Sequence, residues 1–491
     1  MKILFVYFNL EYRPRTLPTI SILDAITREE GHETALFDTS FYEAYINPVV
    51  LNRIKSGIVK DVDNLTILPK KSSPVEDLKD KIKQVEPDLI AFTYVINHLD
   101  MQRDLLGPVK EEFPNIKIIA GGSQCILNPE SSIAEPYIDI VCYGEGEGLF
   151  RELLRTFESG GDPKTIRGLW LKNEDGSIHK SQITELTDVD NIPILSWDLF
   201  EAIQMFGLYD GHAYRMGHVE FTRGCPYSCT YCGQAFLRDA FMAGGKVKFV
   251  RHKSPKVAVR EYKKLKEKHD LEMFYFVDGT FSSMSTHVLE ELAHLYRQEV
   301  GLPFIALVHP LTITERKAEL LGLMGCAHVT IGIESGDTEY RARVMKRRMS
   351  NQQIIDAVRN LRKNGIKVST FNIIGMPGMD RDHIFKTIDL NREAGADAST
   401  ITCFMPFPDD EMTKQLIKKG SIDPSDIKII VGGSEPALDI EEMGYDEIKG
   451  LYNTFNLYVR LPRYMFPFIK LLEKSTPATD YVRGKLYKAI G

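Results

Sequence analysis

The sequence predicts an α/β protein with two sheet-containing domains. Residues 1–155 and residues 218–427 each alternate short apolar runs with segments whose apolar residues recur at helical spacing. Uninterrupted apolar runs are typical of parallel strands that helices cover on both faces. A chain of 491 residues is also longer than one hydrophobic core usually serves, so more than one domain is expected.

The first region, residues 1–155, predicts a parallel sheet covered on both faces. Its apolar runs are Lys2 to Phe8, Thr34 to Phe37, Asp88 to Thr93, Ile116 to Ala120 and Ile138 to Cys142. The first helical segment, Leu17 to Glu30, is followed by Gly31, a residue suited to ending a helix. Ligands of such sheets bind at the carboxyl ends of the strands, where glycine-rich loops follow two of these runs.

Residues 156–217 predict a connector. Leu169 to Leu171 and Ser177 to His179 flank Asp175-Gly176, a pair typical of a hairpin turn. Ile192 to Asp198 predicts an extended linker packed by its tryptophan. These features indicate architecture and carry no chemistry.

The second region, residues 218–427, predicts a partial barrel of six strand-helix units, whereas a full barrel would need eight. Its strand-like runs are Val219 to Thr222, Met273 to Val277, Phe304 to Val308, His328 to Ile333, Val368 to Ile374 and Ser399 to Phe404. Residues 428–491 predict a helical cap rich in aromatic residues, broken near Arg460 to Arg463. We expect this cap to pack on the barrel; contact with a membrane is the alternative.

Three of the seven cysteines, Cys225, Cys229 and Cys232, fall within eight residues after the first strand of the second region. This spacing lets them converge on a soft metal centre. A structural zinc site would need a fourth ligand, and none lies nearby in sequence. A cluster held by three thiolates with one iron open fits better, and three unrelated cysteines on a turn are the alternative.

The cysteine motif, its place after the first strand and the six units resemble the radical S-adenosylmethionine superfamily. With the first region, the chain resembles its cobalamin-binding branch, class B, over about residues 1–410. In the first region the likeness is carried by Pro87 to Thr93, Ile119 to Ser123, Asn128 to Glu130 and Tyr143 to Glu147. The resemblance implies a Rossmann-like (flavodoxin-like) cobalamin-binding domain, then a partial (β/α)6 TIM-like barrel with a helical C-terminal cap.

The resemblance also implies three cofactors and their ligands. Cys225, Cys229 and Cys232 would hold a [4Fe-4S] cluster. The residues implied for S-adenosylmethionine are Tyr231, Gly233, Asp278, Gly279, Glu334, Ser335 and Gly375. Those implied for cobalamin are Thr93, Gly121, Gly122, Ser123, Gly144 and Glu145.

Several of the implied ligands have a plainer alternative. The glycine loops after Ala120 and Tyr143 could be simple turns, and Tyr231 could fill the barrel mouth. Asp278 could cap a helix, and Glu334 could form a surface ion pair.

Other residues near the expected cofactors have no assigned ligand role. Asn9 to Arg13 follows the first strand without the axial histidine of the wider cobalamin fold. His98 could approach the cobalt, although a solvated loop histidine is favoured. Cys125 would lie close to a bound corrin, and Arg347 with Arg348 predicts a solvated charge run.

The resemblance implies a methyltransferase that acts on an unactivated carbon, or on phosphorus, through methylcobalamin and a 5′-deoxyadenosyl radical. A non-methylating class B reaction, such as cyclisation or rearrangement, is the alternative. An iron-sulfur electron carrier or sensor that binds S-adenosylmethionine is another. The expected partners are a small-molecule substrate, lipid and peptide included, and a reductant such as flavodoxin or ferredoxin.

Composition and charge predict which partners and which cellular compartment the protein has. A net charge of −7 predicts no nucleic-acid partner, because no basic excess is available to neutralise phosphates. Met1 to Phe8 predicts a buried strand and not a signal peptide, and no apolar run approaches a membrane span. Seven cysteines, an odd number, favour a reducing compartment, so we expect a cytoplasmic protein without stable membrane insertion.

Overall fold

The computed structural model describes residues 1–9, 15–45, 70–95, 98–407, 410–423, 433–438 and 440–490. These residues form two compact units. The first unit contains the described residues up to Val219 together with Phe236–Leu271, and the second contains Glu220–Ala235 and the described residues from Glu272 onward. The predicted connector therefore lies in the first unit.

The first unit is built on one seven-stranded sheet. Its strands are β1 Lys2–Tyr7, β2 Glu33–Asp38, β3 Leu89–Thr93, β4 Lys117–Gly121, β5 Ile140–Cys142, β6 Leu169–Lys172 and β7 Ile178–His179, in the spatial order β2-β1-β3-β4-β5-β6-β7. The strands from β2 to β5 pair in parallel, while β6 and β7 are antiparallel. The predicted connector hairpin is confirmed, and it extends this sheet.

Helices follow the parallel strands as the sequence predicts. They are α1 Pro18–Glu29, α2 Pro74–Val85, α3 Leu99–Glu112, α4 Ser123–Leu127, α5 Pro129–Ala134 and α6 Gly146–Glu158. One core cluster joins apolar strand residues such as Leu4, Ile90 and Ile118 to helix residues such as Leu78 and Leu105. Helices against strands buried on both faces give the expected Rossmann-like arrangement.

The first unit continues beyond the hairpin with a further strand pair and two helices. These elements are β8 Phe206–Tyr209, β9 His212–Val219, α7 Gly233–Ala243, of which the first unit holds the residues from Phe236, and α8 Pro255–His269; β8 pairs with β9 antiparallel. Trp197 of the predicted linker is 1% exposed, and its ring lies 5.2 Å from that of His269. The run predicted as one strand from Val219 to Thr222 is divided between the end of β9 and a short strand, β10 Thr222–Arg223.

The second unit contains five neighbouring parallel strands in chain order. They are β12 Met273–Phe276, β13 Phe304–Val308, β14 Cys326–Glu334, β15 Lys367–Ile374 and β16 Ala398–Cys403, numbered after the two-residue β11 Arg251–His252. Their helices are α9 Thr286–Glu299, α10 Glu315–Met324, α11 Thr338–Arg343, α12 Asn351–Lys363, α13 Arg381–Ala394 and α14 Glu411–Lys418. The strand ends agree with the prediction to within two residues. The repeated strand-helix unit is that of the predicted partial (β/α)6 barrel.

Helix α12 illustrates how local sequence builds these units. Ser350 accepts a hydrogen bond from the Gln353 amide, and the Gln353 side chain accepts one from the Ser350 amide. Ile354, Val358 and Leu361 recur at helical spacing and are fully buried.

Three C-terminal helices close the second unit: α15 Tyr445–Arg460, α16 Phe466–Leu471 and α17 Pro477–Ile490. Ile448, Leu451 and Phe455 are fully buried in one cluster with strand residues such as Ile374. The predicted break after Arg460 is confirmed, as is the predicted packing of the cap on the barrel. Among the described residues, no helix is long and apolar enough to cross a membrane.

Candidate functional site

The carboxylate of Asp278 fixes the backbone immediately before the cysteine loop. Asp278 follows β12, is 2% exposed, and accepts hydrogen bonds from the amides of Phe221 and Thr222. Burial raises the pKa of Asp278 to about 7, although these amides act to lower it. The alternative that Asp278 caps a helix is wrong, because Thr280 and Ser285 occupy the two nearby cap positions.

The loop then places three thiols at different depths. Cys229 is 6% exposed, whereas Cys225 and Cys232 are half-buried. The Sγ atom of Cys225 lies 3.7 Å from the hydroxyl of Thr280, and the amide of Cys232 donates to the carbonyl of Cys229. All seven cysteines are free thiols. The loop residues are therefore available as ligands.

Within the described residues, no three acidic, histidine or cysteine side chains converge on a single metal ion. A four-iron cluster makes a different demand, since each thiolate binds its own iron. Cys225, Cys229 and Cys232 lie on one loop as free thiols, which is what three ligands of such a cluster require.

The environment of Arg347 is where the structure differs most from the sequence-based prediction. The prediction that it is solvated is wrong: Arg347 is 7% exposed, while Arg348 is exposed as expected. Its Nη1 donates to Cys229 Sγ at 3.4 Å, and its Nη2 donates to the Gly332 carbonyl at 2.7 Å. These two contacts hold the arginine inward, and the left-handed backbone of Lys346, φ 54°, directly precedes it.

The guanidinium of Arg347 stays charged in this site. Burial acts to lower the pKa of Arg347, but Tyr231, Glu334 and Cys229 outweigh it and raise that pKa. Its Nε is buried and has no hydrogen-bond partner among the described residues. A fixed cation therefore lies against the Cys229 thiol, and its Nε–H has no partner among the described residues.

Glu334 supplies the opposite charge at the end of β14. It is 9% exposed, so the surface ion pair offered as an alternative is wrong. Burial raises the pKa of Glu334, while Arg347 acts to lower it. Its φ of 67° is unusual for a side-chain-bearing residue. A Cβ on Gly332 would lie 2.5 Å from Glu334 Oε1, which explains the glycine there.

His309 is a site residue that the sequence analysis missed. It follows β13, is 5% exposed, and stacks on Tyr227 of the cysteine loop with ring centroids 3.6 Å apart. Its Nδ1 accepts from the Leu311 amide, so the proton of the neutral ring is on Nε2. Burial, with Arg347, lowers the pKa of His309 to about 2. Nε2 is buried without a partner among the described residues.

The remaining residues predicted for S-adenosylmethionine lie around this group. Tyr231 packs against the cluster of the second unit that contains Met345 and Ile374. Ser335 is fully buried, and its hydroxyl accepts from the Asp337 amide. The other three are glycines: Gly233 begins α7, a Cβ on Gly279 would lie 3.8 Å from Cys225 Cβ, and one on Gly375 would meet Ile448 at 3.2 Å. Their contacts with a cofactor stay predictions.

The residues predicted for cobalamin meet at one edge of the first sheet. Thr93 ends β3 directly opposite Gly121, which ends β4, and both are partly exposed together with Gly122 and Ser123. Gly122 has a φ of 101°, and a Cβ there would lie 2.8 Å from Thr93 Cγ2. An exposed backbone edge at the carboxyl ends of parallel strands fits a large, flat ligand.

Gly144 and Glu145 follow β5 and hold the connector. A Cβ on Gly144 would lie 1.9 Å from the Thr184 hydroxyl. Both carboxylate oxygens of Glu145 bind Arg251, at 2.6 and 2.9 Å, and one accepts from the Thr187 amide. Their side of the loop is filled by the chain itself, so contact with cobalamin stays a prediction.

His98 and Cys125 are two further residues that the sequence places near the expected cobalamin. His98 precedes α3 and is half-buried, while Cys125 is fully buried and burial raises the pKa of its thiol. The Asn9 to Arg13 loop is described only for Asn9, whose side chain donates to Ser40.

Comparison with known proteins finds a family match for each of the two regions of the chain. The radical SAM superfamily matches residues 219–391, and the B12 binding domain matches residues 19–154. An uncharacterised methyltransferase of Pyrococcus horikoshii is 27% identical over 334 residues, 68% of this chain and 70% of its own. An anaerobic magnesium-protoporphyrin IX monomethyl ester cyclase of Rubrivivax gelatinosus is 23% identical over 414 residues, 81% of this chain and 71% of its own.

Among solved structures, the cobalamin-dependent S-adenosylmethionine radical enzyme OxsB with aqua-cobalamin and S-adenosylmethionine bound shares the fold. The match has a TM-score of 0.61 and 15% identity, and covers 99% of this chain and 66% of the other. The two matched domains occur in the same order as the two sheets, and the cysteine loop lies in the second. The chain belongs to the cobalamin-binding (class B) family of radical S-adenosylmethionine enzymes, whose cofactors are a [4Fe-4S] cluster, S-adenosylmethionine and cobalamin.

Proposed function

We propose that the enzyme transfers a methyl group to an unactivated carbon, or to phosphorus, in a small molecule. The cluster, S-adenosylmethionine and cobalamin, when bound, supply the substrate-activating radical and the methyl group. The observation that carries the proposal is the buried group formed by Arg347 and Glu334 against Cys229. A cation and a carboxylate with no solvent are costly unless a ligand uses them.

Arg347 and Glu334 match the two ends of an amino acid. The carboxylate of Glu334 accepts hydrogen bonds from the ammonium group of S-adenosylmethionine. The unused Nε–H of Arg347 donates to the carboxylate of the same molecule. Because both groups adjoin the cysteine loop, they would hold that end of S-adenosylmethionine beside the cluster.

Neighbouring residues hold this arrangement without reacting. Asp278 keeps the strand before Cys225 in place through two amides. His309 keeps Tyr227 stacked and presents one neutral N–H at the carboxyl end of β13. Both are buried, so they also help to exclude water from this part of the loop.

The first unit binds cobalamin through backbone and small side chains. Thr93, Gly121, Gly122 and Ser123 form the edge that contacts the corrin. Support comes from the matched B12 binding domain, which includes all four residues.

A non-methylating reaction is the second candidate, because one relative is named a cyclase and covers 81% of the chain. The two candidates differ in the products of S-adenosylmethionine. Methyl transfer consumes it twice and yields S-adenosylhomocysteine as well as 5′-deoxyadenosine. Cyclisation yields 5′-deoxyadenosine alone.

The test uses the full chain, reconstituted anaerobically with iron, sulfide and cobalamin, then reduced and incubated with S-adenosylmethionine. We expect both products from wild type, and S-adenosylhomocysteine only in samples that contain cobalamin. 5′-Deoxyadenosine without any S-adenosylhomocysteine would contradict methyl transfer and favour the cyclase-like reaction. Absence of both products would contradict each candidate.

A further inference from the structure

We infer that the C-terminal segment 460–490 docks the enzyme on the surface of an anionic lipid bilayer. The contact is a surface that we call the basic aromatic face: Arg460, Pro462, Tyr464, Phe468, Lys470, Leu471 and Lys474. This inference does not depend on which reaction the enzyme catalyses. It rests on exposure, on the fixed shape of the segment and on charge.

Large apolar side chains are exposed here. Tyr464 is 82% exposed, Leu471 68% and Phe468 42%. They are spaced by four and three residues along a short 3-10 turn that continues into α16, so they lie on one side. Pro462 is exposed beside them. Such a concentration of exposed apolar groups is typical of an interaction surface.

The opposite side of the same segment is anchored in the core. Ile469 is fully buried and Leu472 is 4% exposed. The ring of Phe466 packs edge-on against Tyr458 at 4.9 Å. Arg483 of α17 donates to the carbonyls of Leu472 and Lys474. The exposed side chains therefore stand on a rigid support and are not the fraying end of a helix.

Arg392 fixes the turn that leads into this segment. Its guanidinium donates to the carbonyls of Tyr458, Val459 and Leu461 at 2.6 to 2.9 Å, where α15 ends. These carbonyls would otherwise lack partners at the helix end. The turn presents the apolar side chains outward because the backbone there is held from within.

Charge identifies the partner. Residues 460–490 contain seven Lys and Arg but only two acidic residues, in a chain whose net charge is −7. Both acids are paired with arginines: Glu473 binds Arg381 at 2.6 Å, and Asp480 binds Arg483. Arg460, Lys470 and Lys474 are exposed and have no ion pair within the part of the chain that the structure describes.

An aromatic and leucine stripe flanked by basic side chains suits the headgroup region of an anionic bilayer. Tyrosine places its ring among acyl chains and its hydroxyl in water, and basic side chains reach the lipid phosphates. The face has three large apolar side chains, and no described helix could span a membrane, which indicates reversible contact with the surface.

The test is flotation of the holoenzyme with vesicles of phosphatidylcholine alone or mixed with phosphatidylglycerol. We expect flotation with the mixed vesicles only, reduced in high salt. A Tyr464→Ser/Phe468→Ser/Leu471→Ser variant should lose about tenfold or more of the bound fraction, since three anchors are gone. An Arg460→Glu/Lys470→Glu/Lys474→Glu variant should lose it as well.

The control removes exposed apolar side chains elsewhere: Ile178→Ser/Leu208→Ser/Leu323→Ser, at positions 39 to 40% exposed. It should float like wild type. A Tyr464→Trp variant adds a direct readout, because Trp170 and Trp197 are buried and an added tryptophan should shift its emission to the blue only with anionic vesicles.

Three outcomes would overturn the inference. One is no flotation at low salt, and another is equal flotation of wild type and the serine variant. The third is a dimer in solution that the serine variant dissociates, which would assign the face to a second copy. Unchanged thermal unfolding of the variants excludes misfolding as the cause of lost binding.

Discussion

The predicted ligand sites of the two sheets differ in the kind of residue that forms them. At the edge of the first sheet, the glycines predicted to contact a ligand are also needed for packing within the chain. A Cβ on Gly122 would clash with Thr93, and one on Gly144 would clash with Thr184. At the end of the second sheet, the charged Arg347 and the neutral His309 are buried, and each has a nitrogen without a hydrogen-bond partner among the described residues. The difference predicts that cobalamin meets an exposed backbone edge, whereas the amino-acid end of S-adenosylmethionine meets buried charge.

The largest effect should come from removing a cluster thiol. Cys229→Ala should abolish cluster-dependent absorption and lower 5′-deoxyadenosine formation below detection, because no described residue replaces the ligand. Cys326→Ala is the matched control, since Cys326 is a buried thiol at the start of β14. Iron content and the visible spectrum check both variants. Retention of a full cluster by Cys229→Ala would break the assignment of the second site.

The next effect concerns the buried cation. Arg347→Met should lower 5′-deoxyadenosine formation by about 10- to 100-fold, since a hydrogen bond to a charged group contributes about 1.5–3 kcal/mol. Arg348→Met, one position along and exposed, should behave as wild type. Single-turnover assays compare the two. Similar losses in both variants would mean that Arg347 acts only through general charge.

A steric change should act through Glu334. Gly332→Ala places a Cβ 2.5 Å from Glu334 Oε1, so the carboxylate must move. We expect weaker S-adenosylmethionine binding, by about tenfold, from the loss of a charge-assisted hydrogen bond. Gly148→Ala in α6 has no atom within 4 Å of the new Cβ and should leave binding unchanged. Equilibrium dialysis measures both, and unaltered binding in Gly332→Ala would remove Glu334 from the site.

Asp278 makes a prediction about pH. Its pKa is raised to about 7 by burial, so the folded state holds a proton that the unfolded state releases near its ordinary pKa of 3.8. The contribution of this proton to the free energy of unfolding is fully present below pH 3.8 and is lost as the pH rises through about 7. Thermal unfolding of wild type should therefore shift to lower temperature as the pH is raised from about 6 to about 8, and Asp278→Asn should shift less. Parallel curves for the two proteins would contradict the assignment.

The smallest effect should be in the first unit. Glu145→Gln loses the ion pair between Glu145 and Arg251. The side chains of both residues are 11% exposed, so the unfolding temperature should fall by a few degrees. Retained cobalamin after desalting should change little, because the carboxylate serves the connector. Glu130→Gln, from an exposed pair with Lys180, should change neither. A large loss of cobalamin in Glu145→Gln would make that residue a ligand and erase the contrast between the sheets.

What the sequence could predict was local. The strands of both units follow from uninterrupted apolar runs such as Leu89–Thr93, and the cysteine loop from the spacing of three thiols. The buried charges depend on contacts between distant residues, which no short pattern carries. Asp278 binds amides 56 and 57 positions away, and Arg347 reaches Cys229 across 118. His309 could have been suspected, since it follows an apolar strand at a carboxyl end.

The most direct test of the central claim is electron paramagnetic resonance of the reduced, reconstituted protein with and without S-adenosylmethionine. We predict a [4Fe-4S] signal that changes on addition of S-adenosylmethionine in wild type and in Arg348→Met, but not in Arg347→Met. A wild-type signal that S-adenosylmethionine leaves unchanged would contradict the claim that the buried charges of the second unit hold this ligand against the cluster.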